Sequence, residues 1–330
     1  MTPADRTALH AAIRAFIAGG PGELEPLALA LHADQVARNP AYSALSAGIQ
    51  VRSIETIPAV PVPLFRDLDL RTFGGDPAAV FRTSGTTSGG AARGTHALRD
   101  TLLYDLGARA HYRAMVPDAP GRVVSLVSHA PDSSLGHMTT LFADTLLPYF
   151  TDARVDPAAW AALDQPCFLA TTAFALDALL AFPGTGQLDS RSVVMVTGGF
   201  KGKQVRLDAP ELYRALPRLG TPRVVGEYGM TELSSQLWTR PVAAGALPGP
   251  FVAPRWLRPY TVDPATGTPT AGVGLLRFVD LANVWSVVAI ETLDLGEVNG
   301  DEVTLHGRLE GSELRGCSLR AEDFLRSVRG

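Results

Sequence analysis

Apolar positions recur at helical spacing at the start of the chain. Leu9, Ile13, Phe16 and Ile17 share one face, behind Thr2 as N-cap and Pro3 at the first helical position. Gly19-Gly20-Pro21-Gly22 stops this helix, and a second apolar-periodic stretch runs from about Leu24 to Val36. Pro58 to Pro63 reads as a connector. From Phe81 the period changes, and four short β-branched runs appear: Val123–Val127, Phe168–Thr171, Val193–Val196 and Arg223–Gly226. Helical segments lie between them, roughly Ser134–Leu147, Phe174–Ala181 and Asp208–Leu216. The last opens on a capping box of Asp208 and Glu211. Strands alternating with helices predict βαβ crossovers and a mostly parallel sheet with helices on both faces. Beyond about Pro241, Pro and Gly are dense up to Gly274. Strand-like runs follow at Gly274–Asp280, Trp285–Thr292 and Glu302–His306, a smaller β-rich part with Asp263 to Gly267 as a turn.

Composition narrows the class. The 330 residues are 46% hydrophobic and 19% charged, enough apolar content for a core. No uncharged apolar run approaches the roughly 18–20 residues of a membrane helix. The start, Met1 to Arg6, has no basic region followed by an apolar stretch, so no secretory signal is expected. A net charge of −4 without a basic cluster argues against a nucleic-acid partner. The two cysteines, Cys167 and Cys317, suit a reducing, cytoplasmic setting. Lys201 and Lys203 are the two lysines, so lysine chemistry has two candidates.

In parallel sheets ligands sit beyond the carboxyl ends of the strands, and the loops there carry the candidate chemistry. The run Thr83-Ser84-Gly85-Thr86-Thr87-Ser88-Gly89-Gly90 can bend tightly and aim N–H and O–H donors at a phosphate, or can be a Ser/Gly linker. It has no lysine, which excludes the P-loop pattern. A helix-like stretch beginning near Leu98 would add its positive end. Glu227 to Glu232 follows the fourth strand. Tyr228 can stack a base and Glu232 can hold Mg²⁺, or Tyr228 and Met230 can be core. Gly198-Gly199 follows the third strand, where the backbone can approach a planar ligand. Asp294 and Gly307-Arg308 complete the set, although a lone aspartate at a strand end is also a turn cap. His129 and His137 have no third ligand at zinc spacing. Phe142, Tyr149, Phe150, Phe174 and Phe182 wall an apolar channel or pack as core, and Cys167 reads as core. Asp132 to Gly136 faintly resembles a serine-hydrolase elbow on Ser134, but Asp132 is too large for the turn.

Together these segments resemble the adenylate-forming superfamily of acyl-CoA synthetases, luciferases and adenylation domains. Thr83–Gly89 is similar to its phosphate loop, with Ser88 inserted before the usual glycine; Tyr228-Gly229-Met230-Thr231-Glu232 resembles Y-G-x-T-E. Asp294 corresponds to the ribose aspartate and Gly307-Arg308 to the hinge G-R. Within the superfamily, Pro131 to Met138, Gly199-Phe200-Lys201, Leu233 with Gln236, and Arg315-Gly316-Cys317 resemble the acyl-protein synthetases of bacterial bioluminescence.

The resemblance implies an ATP- and Mg²⁺-dependent ligase activating a fatty or aryl carboxylic acid as acyl-adenylate, then moving the acyl group to a thiol. The acceptor is Cys317, flanked by Arg315 and Arg320, or a partner such as a reductase or carrier protein. Thr83 to Gly89 would grip the β- and γ-phosphates, and Gly198, Gly199, Tyr228 and Gly229 would line the adenine. Thr231 would reach a phosphate oxygen, Glu232 would hold Mg²⁺, and Asp294 with Arg308 would take the ribose. Lys201 or Arg93 would supply positive charge. The implied organisation is an N-terminal helical segment (1–80), a nucleotide-binding α/β core (81–240), a β-rich subdomain (241–306) and a hinge with a truncated C-terminal segment (307–330). The family's lid, of about a hundred residues, carries a lysine. None of the residues after Arg308 is lysine, so the lid is expected to be missing. A catalytically weak AMP- or acid-binding subunit of a biosynthetic complex is the alternative.

Overall fold

The computed structural model describes residues 2–83, 93–198 and 207–309. Helices α1 (Pro3–Ile17), α2 (Leu24–Val36) and α3 (Pro40–Ser46) open the chain. The Thr2 side chain accepts from Asp5 N and Asp5 answers to Thr2 N, a complete capping box with Pro3 inside it. A separate hairpin then pairs β1 (Ala79–Arg82) with β2 (Thr95–Leu98), followed by α4 (Leu102–Met115).

The α/β part runs β3 (Arg122–Leu126), α5 (Ser134–Thr140), β4 (Thr145–Pro148), β5 (Phe168–Thr172), α6 (Ala173–Ala181), β6 (Val193–Thr197), α7 (Ala209–Ala215) and β7 (Arg223–Tyr228). Its five strands are parallel in the order β4-β3-β5-β6-β7. They continue antiparallel through β8 (Leu237–Thr239), β9 (Phe251–Val252), β10 (Leu257–Val262), β11 (Gly274–Asp280), β12 (Ala289–Asn299) and β13 (Glu302–Arg308), in the spatial order β7-β8-β9-β13-β12-β11-β10 within one 14-stranded sheet. Both faces of β3, β5, β6 and β7 are covered, which is why they read as continuous apolar runs. Val124, Leu169, Val194 and Val224 pack under α6 and α7. Val123, Phe168, Val193 and Val225 pack under Tyr104, Ala108 and Tyr112 of α4. The expected mixed α/β architecture with flanking helices and a β-rich part is the one observed. Among the described residues, no helix is long and apolar enough to cross a membrane.

Three expected elements differ. The helix read as Ser134–Leu147 ends at Thr140, because the Thr139 and Thr140 hydroxyls donate back to the Gly136 carbonyl and compete with the helical ladder. Thr145–Pro148 instead joins the sheet beside β3. The stretch near Leu98 closes the β1–β2 hairpin, and α4 begins only at Leu102, so its N-terminus is not where the sequence reading put it. The strand read from Trp285 starts at Ala289, since residues before it turn back onto Asp280 through Asp280 N to Val288 O and Asn283 N to Asp280 O.

Candidate active site

Three residues far apart in sequence meet where β7 ends. The Tyr228 hydroxyl donates to Asp294 Oδ2 at 2.8 Å, and Arg308 Nη1 stands 3.7 Å from Asp294 Oδ1. Asp294 and Arg308 are cross-strand partners of β12 and β13, so sheet register sets this approach. Asp294 N donates to Thr292 Oγ1, which in turn donates to the Leu276 carbonyl and fixes the turn of the backbone. Burial, then the Asp294 charge, holds the Tyr228 phenol well above its usual range; it stays a donor at neutral pH. Asp294 retains lone pairs for further donors, as a carboxylate offers about four acceptor sites.

The second group stands at the root of residues 84–92. Thr83 N donates to the Gly94 carbonyl, and Gly94 N donates to Thr83 Oγ1 at 3.0 Å. A Cβ at Gly94 would lie 3.1 Å from the Thr83 methyl and 3.6 Å from Glu232 Oε1, so Glu232 is packed against this root. Arg93 clamps the same place, donating to the carbonyls of Arg82 and Thr83 and to Asp132 Oδ2. His96 donates through Nδ1 to the Thr231 carbonyl at 2.8 Å and ties the returning strand to the 229–232 segment. Burial lowers the His96 imidazole to about 4, so it is neutral. The Glu232 carbonyl accepts from Asn283, and Asp280 accepts from Ser234 N and the Ser235 hydroxyl. The segment after Tyr228 is thus held from the hairpin on one side and the 280–283 turn on the other. Glu232 also contributes to raising Tyr228, which links the two groups electrostatically.

Between them, Thr172, Thr197 and Glu227 form a row across the carboxyl edge of β5, β6 and β7. Thr197 Oγ1 donates to Glu227 Oε2, and burial pushes the Glu227 carboxyl up to about 7. A Cβ at Gly229 would meet Glu227 Oε1 at 2.6 Å, so a side chain there would have to displace that carboxylate. Gly198 has φ +69° and, among the described residues, nothing within 4 Å of its Cβ position at the end of β6.

Of the residues singled out from sequence, Thr83, Thr231 and Glu232 cluster at the loop root, and Tyr228, Asp294 and Arg308 form the triad. Gly198 and Gly229 flank β6 and β7. Ser84, Gly85, Thr86, Thr87, Ser88, Gly89, Gly199, Lys201 and Cys317 lie outside the described residues. Cys167 is fully buried and its thiol is pushed up to about 12, consistent with core. The aromatic residues Phe142, Tyr149, Phe150 and Phe182 also pack into core clusters. His129 binds Ser125 at 2.7 Å and His137 binds Asp105 at 2.7 Å. Ser134 opens α5 after the 127–133 loop, with its carbonyl taken by Tyr104, and forms no elbow on a strand. His96, Asp280 and Asn283 escaped the sequence reading. Each acts through one or two distant bonds that no local motif announces.

The arrangement offers a tyrosine-oriented carboxylate beside a guanidinium, and a second carboxylate at the foot of a hydroxyl- and glycine-rich stretch. Such a site suits a nucleotide: diol hydroxyls to Asp294, phosphates toward Thr83 and Glu232. Among the described residues, no group of three or more His, Cys, Asp or Glu gathers as a metal cage. A single buried carboxylate fits Mg²⁺, which binds through one or two carboxylates plus phosphate oxygens.

A scan against protein-family models finds no match, and no curated protein sequence matches the chain. Solved structures do. An open conformation of 2-hydroxyisobutyryl-CoA ligase in complex with 2-HIB-AMP and CoA aligns at TM-score 0.63 and 16% identity, over 84% of this chain and 72% of that one. The postadenylation state of the ligase with R3-HIB-AMP aligns at TM-score 0.63 and 14% identity, over 94% and 69%. ATP-bound MatB from Rhodopseudomonas palustris aligns at TM-score 0.51 and 18% identity, over 72% of this chain and 49% of that one. The chain therefore spans about half the length of MatB, and it shares the fold of these ligases.

Proposed function

We propose that this chain is an adenylate-forming ligase. It activates a fatty or aryl carboxylic acid with ATP and passes the acyl group to a thiol, as the acyl-protein synthetases do. The observation that carries the reading is the convergence of Tyr228, Asp294 and Arg308 beside Thr83 and Glu232, at the carboxyl end of the parallel sheet.

A carboxylate is a poor electrophile, and adenylation corrects this. A carboxylate oxygen attacks the α-phosphorus, the new O–P bond forms, and the α–β bridging bond breaks to release pyrophosphate. The protein's part is alignment and charge neutralisation. Asp294 accepts from the ribose hydroxyls while Tyr228 and Arg308 hold its orientation. Gly198 leaves room for the adenine, and Thr83 through Gly89 with Thr231 donate to the phosphates. Glu232 would hold Mg²⁺, which supplies positive charge to the phosphate oxygens when bound. Arg93 is committed to Asp132 and to the carbonyls of Arg82 and Thr83, which favours Lys201 as the cation for the phosphates. In the second step a thiolate, from Cys317 or a partner protein, attacks the acyl carbon. The carbon–sulfur bond forms, the bond to AMP breaks, and the thiol proton passes to solvent.

Carboxylate-dependent ATP–pyrophosphate exchange tests the first step, with Asp294→Ala expected to lower it by about tenfold or more. AMP binding by calorimetry with no exchange across a broad acid panel would favour the binding-subunit alternative. Intact-mass analysis after incubation with ATP and mixed acids tests the second step. An acyl mass gain that disappears in Cys317→Ser assigns the acceptor.

A further inference from the structure

The outward side of α4 carries a feature that the proposed reaction does not use. Leu103, Tyr104, Ala108 and Tyr112 face the core, whereas Leu102, Leu106, Arg109, Ala110 and Arg113 follow at helical spacing on the other side. That stripe forms one wall of a trough of about 730 Å³. The C-terminal end of α1 at Ile17 forms the opposite wall, and Trp256 lies in the floor. Leu102 is 63% exposed, a large apolar side chain offered to solvent.

Three guanidiniums border the trough, and among the described residues none of them meets a carboxylate. Arg109 donates to the Leu141 carbonyl at 3.2 Å. Arg255 donates to the Gly20 carbonyl at 3.3 Å and stacks 4.0 Å over Phe16. Asp105, the acidic residue of the lining, turns instead to the Thr101 hydroxyl and to His137. Clustered positive charge around an apolar floor is unfavourable alone and complementary to a negatively charged partner.

We propose that this trough docks an acidic amphipathic helix of a partner protein. An apolar side chain of that helix sits over Leu102, Leu106 and Trp256, and its carboxylates pair with Arg109, Arg113 and Arg255. Arg109 and Arg113 are one turn apart, and the stripe from Leu102 to Arg113 covers about 16 Å of helix. Arg255 rests on α1 across from them, so the charges line two sides of an elongated trough instead of converging on one point. This arrangement fits a helix whose carboxylates at i and i+4 face Arg109 and Arg113, with a leucine beside them over the floor and a further carboxylate on its far side toward Arg255.

The test uses the full chain and a fluorescein-labelled helical peptide with glutamates at i and i+4 around a leucine, followed by anisotropy. The glutamate peptide should bind at least about fivefold tighter than the same peptide with lysines, and weaken as salt rises. Arg109→Ala with Arg113→Ala should weaken it by about fivefold or more, and Leu102→Ser should weaken it without changing the salt dependence. Unchanged melting temperatures keep these losses from being read as unfolding. The proposal is overturned by equal binding of the two peptides, by equal binding to the double variant, or by displacement of the peptide by free octanoate at similar concentration. It is equally overturned if a photo-cross-linker placed at position 102 captures the chain's own residues 310–330 instead of the peptide.

Discussion

Gly229 and His96 show how single side chains hold the 229–232 segment. Gly229→Ala would push a methyl against Glu227 Oε1, which Thr197 holds in place, and should cost about 1–3 kcal/mol in urea unfolding. Shortening the acid by Glu227→Ala in the same chain should recover part of that loss, because the two positions share one contact. His96→Phe keeps the ring but leaves the Thr231 carbonyl without its donor. ATP–pyrophosphate exchange should then fall by about tenfold, equivalent to about 1.4 kcal/mol of misplacement. His96→Asn, whose amide nitrogen can take the place of Nδ1, should restore most of it. At this scale Tyr228 and Arg308 were legible within short motifs, Y-G-x-T-E and G-R, and Asp294 only by its place in their order. His96 was not, since its only signature is a bond across 135 residues to a backbone oxygen.

Elements were legible where pattern and burial agree. α1 and α2 were expected to start and stop close to where they do, because capping at Thr2 and the glycines at 19–22 mark their ends. The strands β3, β5, β6 and β7 were visible because both faces are covered. β4 was missed because it is an edge strand without a fully buried residue, and Leu146-Leu147 extends the apolar period of the helix before it. The capping box at α7 gives a test at this scale. Asp208 Oδ1 accepts from Glu211 N at 2.8 Å and Glu211 Oε2 from Asp208 N at 3.0 Å. Asp208→Ala should lower stability by about 1 kcal/mol, measured by urea denaturation. Its effect on exchange should be small, since α7 packs on the sheet face opposite α4.

The whole molecule buries titratable groups of both kinds, and their signs oppose. Burial lowers His10, His32 and His96 from 6.5 to about 4. Their contribution is complete above about 6.5 and is lost as pH falls through 4. Burial raises Glu227 to about 7 and Asp280 to about 6, and their contribution is complete below the ordinary carboxylate range and is lost as pH rises through those values. The lowered histidines outnumber the raised carboxylates, so stability should climb from pH 4.5 to 6.5 and level off near 7. Urea midpoints across this range test it, and Glu227→Gln should steepen the climb by removing one opposing group.

The β1–β2 hairpin lies outside the large sheet, and Arg93 and Thr83 lock its open end. Thr83 and Gly94 are therefore held side by side by bonds of their own, made without residues 84–92. Substitutions between those ends leave the root's bonds in place, so β1 and β2 should keep their register and the scaffold its melting temperature.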